Sequence, residues 1–187
     1  RYKIQEVIKP NQVILVQVLK DERGLKGAAL STFISIAGKY IVLMPNTPKG
    51  GGISRKITNV NDRKKLKDIS NEIDLPKGAG LIVRTAGAKR TKSEIKRDYE
   101  YLLRQWEEIR DLTLKSIAPA PIYQEGDLIK RSIRDLYNRD IDELLIEGEA
   151  GFKAAQEFMK MIMPTHTKNV KLYADPMPLF ARYQVES

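Results

Sequence analysis

Cysteine is absent from the 187 residues. A disulfide framework and any thiolate metal site are thereby excluded within this segment. Histidine occurs once, at His166, in a polar loop after Pro164. A single imidazole without thiolates does not complete a standard zinc site, and the sequence shows no Ser or Cys nucleophile with a partnered base. The triplet Gly50-Gly51-Gly52 is not followed by Gly-Lys-Ser/Thr, so it is not a P-loop. No apolar run approaches the length of a membrane span, and Arg1-Tyr2-Lys3-Ile4 has no signal-peptide pattern, which together set the expectation of a soluble cytoplasmic protein. Internal repeats and low-complexity tracts are also missing.

Basic charge is what the chain has in excess. The net charge is +9, and its placement is uneven: residues 49–97 hold 14 Lys/Arg against 5 Asp/Glu, while the rest balances at 19 against 19. One quarter of the chain therefore carries the whole excess, an asymmetry that points to a polyanion such as nucleic acid. A solvated basic surface is the alternative. Apolar residues make up 42% of the chain, enough to build one large domain or two small ones.

Hydrophobic periodicity predicts the elements. Gln12–Leu19 reads as a strand. Ala28–Ile36 alternates with period two, turns at Ala37-Gly38-Lys39 and returns through Tyr40–Met44 as a hairpin. The prolines and glycines of residues 45–52 predict an irregular loop. A helix follows Asn61 as N-cap, with Leu66, Ile69 and Ile73 inward and Pro76 beyond its end. Residues 92–116 predict the longest helix, its stripe formed by Ile95, Tyr99, Leu102, Trp106 and Ile109. Such a stripe suits core packing better than base stacking. Pro119-Ala120-Pro121 reads as a linker. Beyond it, Asp127 caps a helix, and the strand Glu143–Ile146, the helix Gly151–Met163 and the strand Val170–Tyr173 form a βαβ unit with parallel strands. Asp140, Asp142, Glu143, Glu147 and Glu149 bracket the first of those strands. Carboxylates at strand ends can hold metals in two-metal nucleases, but acidic caps on such a unit are common and are the favoured reading.

Gly80-Leu81-Ile82-Val83-Arg84-Thr85-Ala86-Gly87 is the stretch with the most chemistry in it. A short buried strand ends in a guanidinium fork and a hydroxyl, donors that suit a phosphate. Gly87 would let the chain turn and bring backbone N–H groups near an anion. A strand end with a solvated arginine is the plain alternative.

The same stretch, together with Asp21-Glu22-Arg23-Gly24-Leu25-Lys26-Gly27-Ala28-Ala29-Leu30, Tyr40-Ile41-Val42-Leu43-Met44-Pro45-Asn46, Gly51-Gly52-Ile53-Ser54-Arg55, Lys171-Leu172-Tyr173, Pro178-Leu179-Phe180 and Tyr183-Gln184-Val185-Glu186-Ser187, resembles the N-terminal half of the ribonuclease E/G family. The glycine triplet and Arg55 are closer to its E-type members. The resemblance implies an α+β fold: residues 1–30 as the end of an OB-type RNA-binding barrel, residues 31–117 as an antiparallel sensor sheet with helices for a 5′-monophosphorylated RNA end, and residues 120–187 as a small ribonuclease-H-like α/β subdomain. It matches Arg84 and Thr85 to the pair that holds the terminal phosphate, Gly38 and Val42 to positions lining the first nucleotide, and Arg55 and Lys26 to further RNA-contacting basic positions.

The function so implied is the end-sensing part of an endoribonuclease that cleaves single-stranded RNA in mRNA decay and in rRNA and tRNA processing. Its partner is single-stranded RNA with a 5′-monophosphate. The parent protein is implied to be a homotetramer that recruits decay partners through a C-terminal region outside this sequence. Catalytic magnesium and inter-subunit zinc are implied for the parent, with their aspartate and cysteine ligands expected beyond Ser187 and the first barrel strands expected before Arg1. This segment is accordingly expected to hold no catalytic or metal-binding residue and not to cleave RNA by itself. A basic protein-interaction module without RNA-end specificity is the rival class. The expected sensor core comprises Ile34, Ile41, Leu43, Ile82 and Trp106.

Overall fold

The computed structural model describes residues 2–48, 51–125 and 127–185. Parts of the glycine-rich loop (Lys49, Gly50) and of the C-terminal motif (Glu186, Ser187) lie outside the described residues. A short helix, α1 (Ile4–Val7), precedes an antiparallel pair, β1 (Gln17–Lys20) and β2 (Ala29–Ser31). The strand expected from Gln12 thus starts at Gln17, and among the described residues none before Ile34 is buried.

The period-two run Ala28–Ile36 does not form one strand. Its start pairs with β1, and its end, β3 (Ile36–Ala37), pairs antiparallel with β4 (Ile41–Met44). Side-chain amides account for the break. Asn46 Oδ1 accepts from the Ile34 N–H at 2.8 Å while its Nδ2 donates to Thr32 O at 2.8 Å. Gln17 makes the same double contact with Ser35, both at 2.8 Å. Backbone groups that a neighbouring strand would satisfy are satisfied by these amides instead.

β4 belongs to a four-stranded sheet of order β3-β4-β6-β5, with β5 at Gly51–Ile53 and β6 at Gly80–Val83. The sheet is antiparallel except at its edge, where β5 runs parallel to β6 through the crossover helix α2 (Val60–Glu72). Two expectations are corrected here: the sheet is mixed, and Gly51-Gly52 form an edge strand rather than irregular loop. Gly52 sits at φ +145°, a conformation that favours glycine and marks an irregular edge. α2 also starts earlier than expected, capped by Asn59, whose Oδ1 accepts from the Asp62 N–H at 3.0 Å.

Strand parity decides the core. Ile41 and Leu43 of β4 and Leu81 and Val83 of β6 are buried against Leu66 and Ile69 of α2 and against α3 (Lys92–Lys115). Val42 and Ile82, which pair across the same strands, point to the opposite face. Ile82 is therefore a half-buried residue of the outer face and not a core residue, and Trp106 is half-buried at the margin. α3 is closed at its start by a reciprocal cap: Glu94 N–H donates to Thr91 Oγ1 at 3.3 Å, and Thr91 N–H donates to Glu94 Oε2 at 2.8 Å.

A second core follows the linker. α4 (Leu128–Asp135), β7 (Leu144–Glu147), α5 (Glu149–Ile162) and β8 (Val170–Tyr173) enclose it, with β7 and β8 parallel and α5 as their crossover, as the sequence predicts; α6 (Leu179–Arg182) follows. Tyr101 of α3 stands edge-on to Phe158 of α5, ring centres 5.6 Å apart, and touches both cores. His166 is not a free loop residue. It is half-buried, Nδ1 lies 2.9 Å from the Tyr137 hydroxyl, and the two rings pack edge to face. Burial, ahead of the nearby cations, holds the imidazole below its usual pKa.

The two cores are tied at the turn between β3 and β4. Asp98 of α3 is 2% exposed, and its carboxylate accepts the backbone N–H groups of Lys39 (3.0 Å), Tyr40 (2.8 Å) and Ile41 (3.0 Å). The approach leaves no room for a side chain at Gly38, where a Cβ would fall 2.5 Å from Asp98 Oδ2. Lys39, equally buried, donates from Nζ to Ile133 O at 3.0 Å and to Tyr137 O, carbonyls at the end of α4. A cation there also offsets the negative end of the helix. Desolvation lowers the Lys39 pKa to about 8, with Asp98 and Asp135 partly opposing the fall.

Gly38→Ala is expected to cost about 1–3 kcal/mol through overpacking. Asp98→Ala is expected to cost at least ~3 kcal/mol, because buried N–H groups lose their acceptor. Urea unfolding measures both, and a wild-type midpoint for Gly38→Ala would refute the clamp. Lys39 carries a pH signature. Its folded pKa of about 8 lies below the ordinary 10.5, so the unfolded chain binds more protons between those values and stability rises with pH across that window. The stability difference between wild type and Lys39→Met is expected to shift in favour of the wild type from pH 8 to 10. A difference that stays flat would mean that Lys39 titrates as an exposed lysine.

Candidate functional site

β6 ends at Val83, and the chain leaves it through Arg84 into a 3-10 turn, Thr85–Gly87. The Arg84 N–H donates to Tyr40 O at 2.7 Å, which extends the β4 pairing by one step and fixes where the side chain emerges. By strand alternation Arg84 issues on the outer face, the one that carries Val42 and Ile82. One guanidinium nitrogen donates to Gly38 O, and the other pairs with Asp135 Oδ1 of α4 at 3.0 Å. Arginine has five N–H donors, so donors remain for a ligand.

An open cavity of about 460 Å³ lies beside this arginine, lined by Ser54, Lys56, Ile82, Arg84, Thr85 and Ala86. Thr85 Oγ1 and Ser54 Oγ lie side by side in its lining, 3.4 Å apart. Ser54 is placed by its own N–H, which donates to Val83 O at 2.9 Å in continuation of the β5–β6 pairing. The following loop is braced by Arg63, whose Nη1 donates to Ser54 O and Ile57 O, each at 2.9 Å. Arg63 is thus a structural cation of the basic stretch. A guanidinium, two hydroxyls and an ammonium around one hollow are a donor set for a tetrahedral oxyanion.

The residues singled out in the sequence fare unevenly in this geometry. Arg84 and Thr85 line the cavity, Gly38 touches Arg84 through its carbonyl, and Val42 pairs with Ile82 on the same face. Arg55 is exposed, and its neighbours Ser54 and Lys56 line the cavity instead. Lys26 lies in a separate element, joined to Arg23 at the tip of the β1–β2 pair. Gly87 has a packing role: its N–H donates to Arg84 O at 2.9 Å, and a Cβ would meet Tyr40 O at 2.9 Å. Sequence reasoning missed Ser54, Lys56 and Asp135. Ser54 and Lys56 flank the quoted Arg55, so the β5–β6 register was the missing signal, whereas nothing local marks Asp135.

Two of the five carboxylates around β7 have structural partners. Glu143 pairs with Lys171 at 2.9 Å, and Glu147 Oε2 accepts the Leu179 N–H at 3.1 Å. Among the described residues no three His, Cys, Asp or Glu side chains converge as a metal-holding group. No helix among the described residues is long and apolar enough to cross a membrane.

The sequence matches the Ribonuclease E/G family description over residues 35–187. Ribonuclease E of Haemophilus influenzae is 46% identical over 187 residues, which cover 100% of this chain and 20% of that protein. Ribonuclease E of Escherichia coli is 43% identical over 188 residues, with 100% and 18% covered. Ribonuclease G of Escherichia coli is 30% identical over 184 residues, with 98% and 37% covered. The chain spans about a fifth of the length of the two ribonuclease E relatives. A solved structure of the Staphylococcus aureus RNase P protein aligns with 40% of this chain and 82% of that one at 21% identity and a TM-score of 0.33, too distant to support any relationship. With a family match from residue 35 to the end and relatives alike along its whole length, this chain belongs to the ribonuclease E/G family.

Proposed function

We propose that this chain is the RNA-binding, 5′-monophosphate-end-sensing part of an endoribonuclease that cleaves single-stranded RNA. The observation that carries the reading is the cavity at the end of β6, where Arg84, Thr85, Ser54 and Lys56 present donors around one hollow beside the apolar outer face of the sheet. A terminal monophosphate carries up to two charges and three free oxygens, whereas an internal phosphodiester carries one charge. Several convergent donors distinguish the two, and Val42 and Ile82 offer an apolar bed to the first nucleotide. Family membership supports the endoribonuclease of which this chain would form part. In that enzyme, engagement of the end would align the RNA for cleavage at a magnesium site outside this segment.

The concentration of charge in residues 49–97 supports a polyanion as the partner, and family membership favours RNA over an acidic protein. Affinity for a short single-stranded RNA is expected to fall steeply with salt, with a log–log slope of roughly 0.7 per phosphate contacted. Weak binding that ignores salt would favour the protein-interaction module. For the end preference, the quantity to measure is the ratio of affinities for one RNA bearing a 5′-monophosphate or a 5′-hydroxyl. Arg84→Ala is expected to reduce that ratio by about one to two decades, the scale of hydrogen bonds to a charged group. Arg84→Lys should be nearly as damaging, because lysine keeps the charge and loses the fork. Thr85→Val should cost less. An unchanged ratio in Arg84→Ala would sink this assignment of the sensor.

A further inference from the structure

We infer that Asp135, from the second core, is a positioning residue for the phosphate-binding fork of Arg84. The inference rests on the end-sensing reading of that site and adds to it a residue from outside the sensor sheet.

Asp135 closes α4, where the helix end is already negative, so a carboxylate there is unfavourable unless cations surround it. Two arginines do so. Arg134 donates through Nε to Oδ1 at 3.1 Å and through Nη2 to Oδ2 at 2.9 Å, and Arg84 Nη2 donates to Oδ1 at 3.0 Å. Those hydrogen bonds and charges, Arg134 first, hold the Asp135 carboxyl below its usual pKa. The helix end that bears Asp135 is itself tied to the sensor by Lys39, which donates to Ile133 O and Tyr137 O. The carboxylate therefore stands at a fixed place relative to the β3–β4 turn before any ligand arrives.

That placement constrains the guanidinium from two sides. Gly38 O takes a hydrogen from one terminal nitrogen and Asp135 Oδ1 takes one from the other. An arginine held at two donors keeps its plane, and the side chain lines the cavity shared with Thr85 and Ser54. Without Asp135 the fork would swing about its remaining contact. Ordering it would then fall to the phosphate, at the expense of affinity for the one ligand that needs the fork. An RNA with a hydroxyl end does not use the fork and is indifferent to its order.

The test is the monophosphate-to-hydroxyl affinity ratio in Asp135→Ala, Asp135→Asn and Arg84→Ala of the same chain, with melting temperatures alongside. Asp135→Ala is expected to lower the ratio about three- to tenfold, the scale of immobilising one long side chain rather than of losing a contact to the phosphate. Asp135→Asn keeps an acceptor oxygen for Arg84 and is expected to recover most of that loss. A purely structural role would change melting and both affinities together and leave the ratio alone. An unchanged or raised ratio in Asp135→Ala, while Arg84→Ala lowers it, overturns the positioning role and leaves the sensor reading standing. A raised ratio would identify Asp135 as a competitor for the fork. If Arg84→Ala itself leaves the ratio unchanged, the sensor reading fails and this inference with it.

Discussion

One carboxylate fixes the geometry on which the site depends. Asp98 projects from the second turn of the long helix α3 and accepts three consecutive backbone N–H groups from the turn between β3 and β4. Burial pushes its pKa up and those three bonds resist the push. A buried carboxylate with its oxygens so occupied is a rigid joint, since moving either side would strand several polar groups at once. From that joint Gly38 offers its carbonyl to Arg84 and Lys39 reaches the end of α4. The sheet, the long helix and the second core are thereby held in one arrangement around the arginine.

The cations divide by role once the fold is known. Lys39 and Arg63 spend their donors on backbone carbonyls, one tying the two cores and the other bracing the loop after β5. Lys92 pairs with Glu72 between α3 and α2. Lys56 remains exposed on the cavity rim, and Arg84 divides its fork between structure and cavity. A surface ion pair contributes little to stability when solvent screens it. The Arg84–Asp135 pair matters through orientation: together with Gly38 O it holds the guanidinium at both terminal nitrogens.

Helices and the βαβ unit were legible because their signals are local. The stripe Ile95, Tyr99, Leu102 and Ile109 repeats at helical spacing, and all four are buried. Asp127 marks a helix start through chemistry within a few residues. Strand ends were less legible. Ala28–Ile36 alternates cleanly yet splits, because Gln17 and Asn46 supply hydrogen bonds from elsewhere in the chain. Ile82 looked as apolar as Leu81 and Val83, and only the pairing with β4 decides which parity faces the helices.

The sequence by itself determined the local facts: the helices and the βαβ unit, the concentration of charge, the family, and the presence of an arginine and a threonine where a short strand ends. Tertiary structure alone decided what surrounds them. Ser54 reaches Thr85 through a parallel strand pairing that spans a whole crossover helix, and Asp135 reaches Arg84 from the other core. Gly38 and Gly87 read as flexible turn residues, whereas their lack of a side chain is required by Asp98 and by Tyr40 O. The physical reason is common to all of these. Propensity, capping and periodicity act over a few residues, while convergence of donors on one cavity depends on contacts between residues far apart in the chain, which only the packed fold brings together.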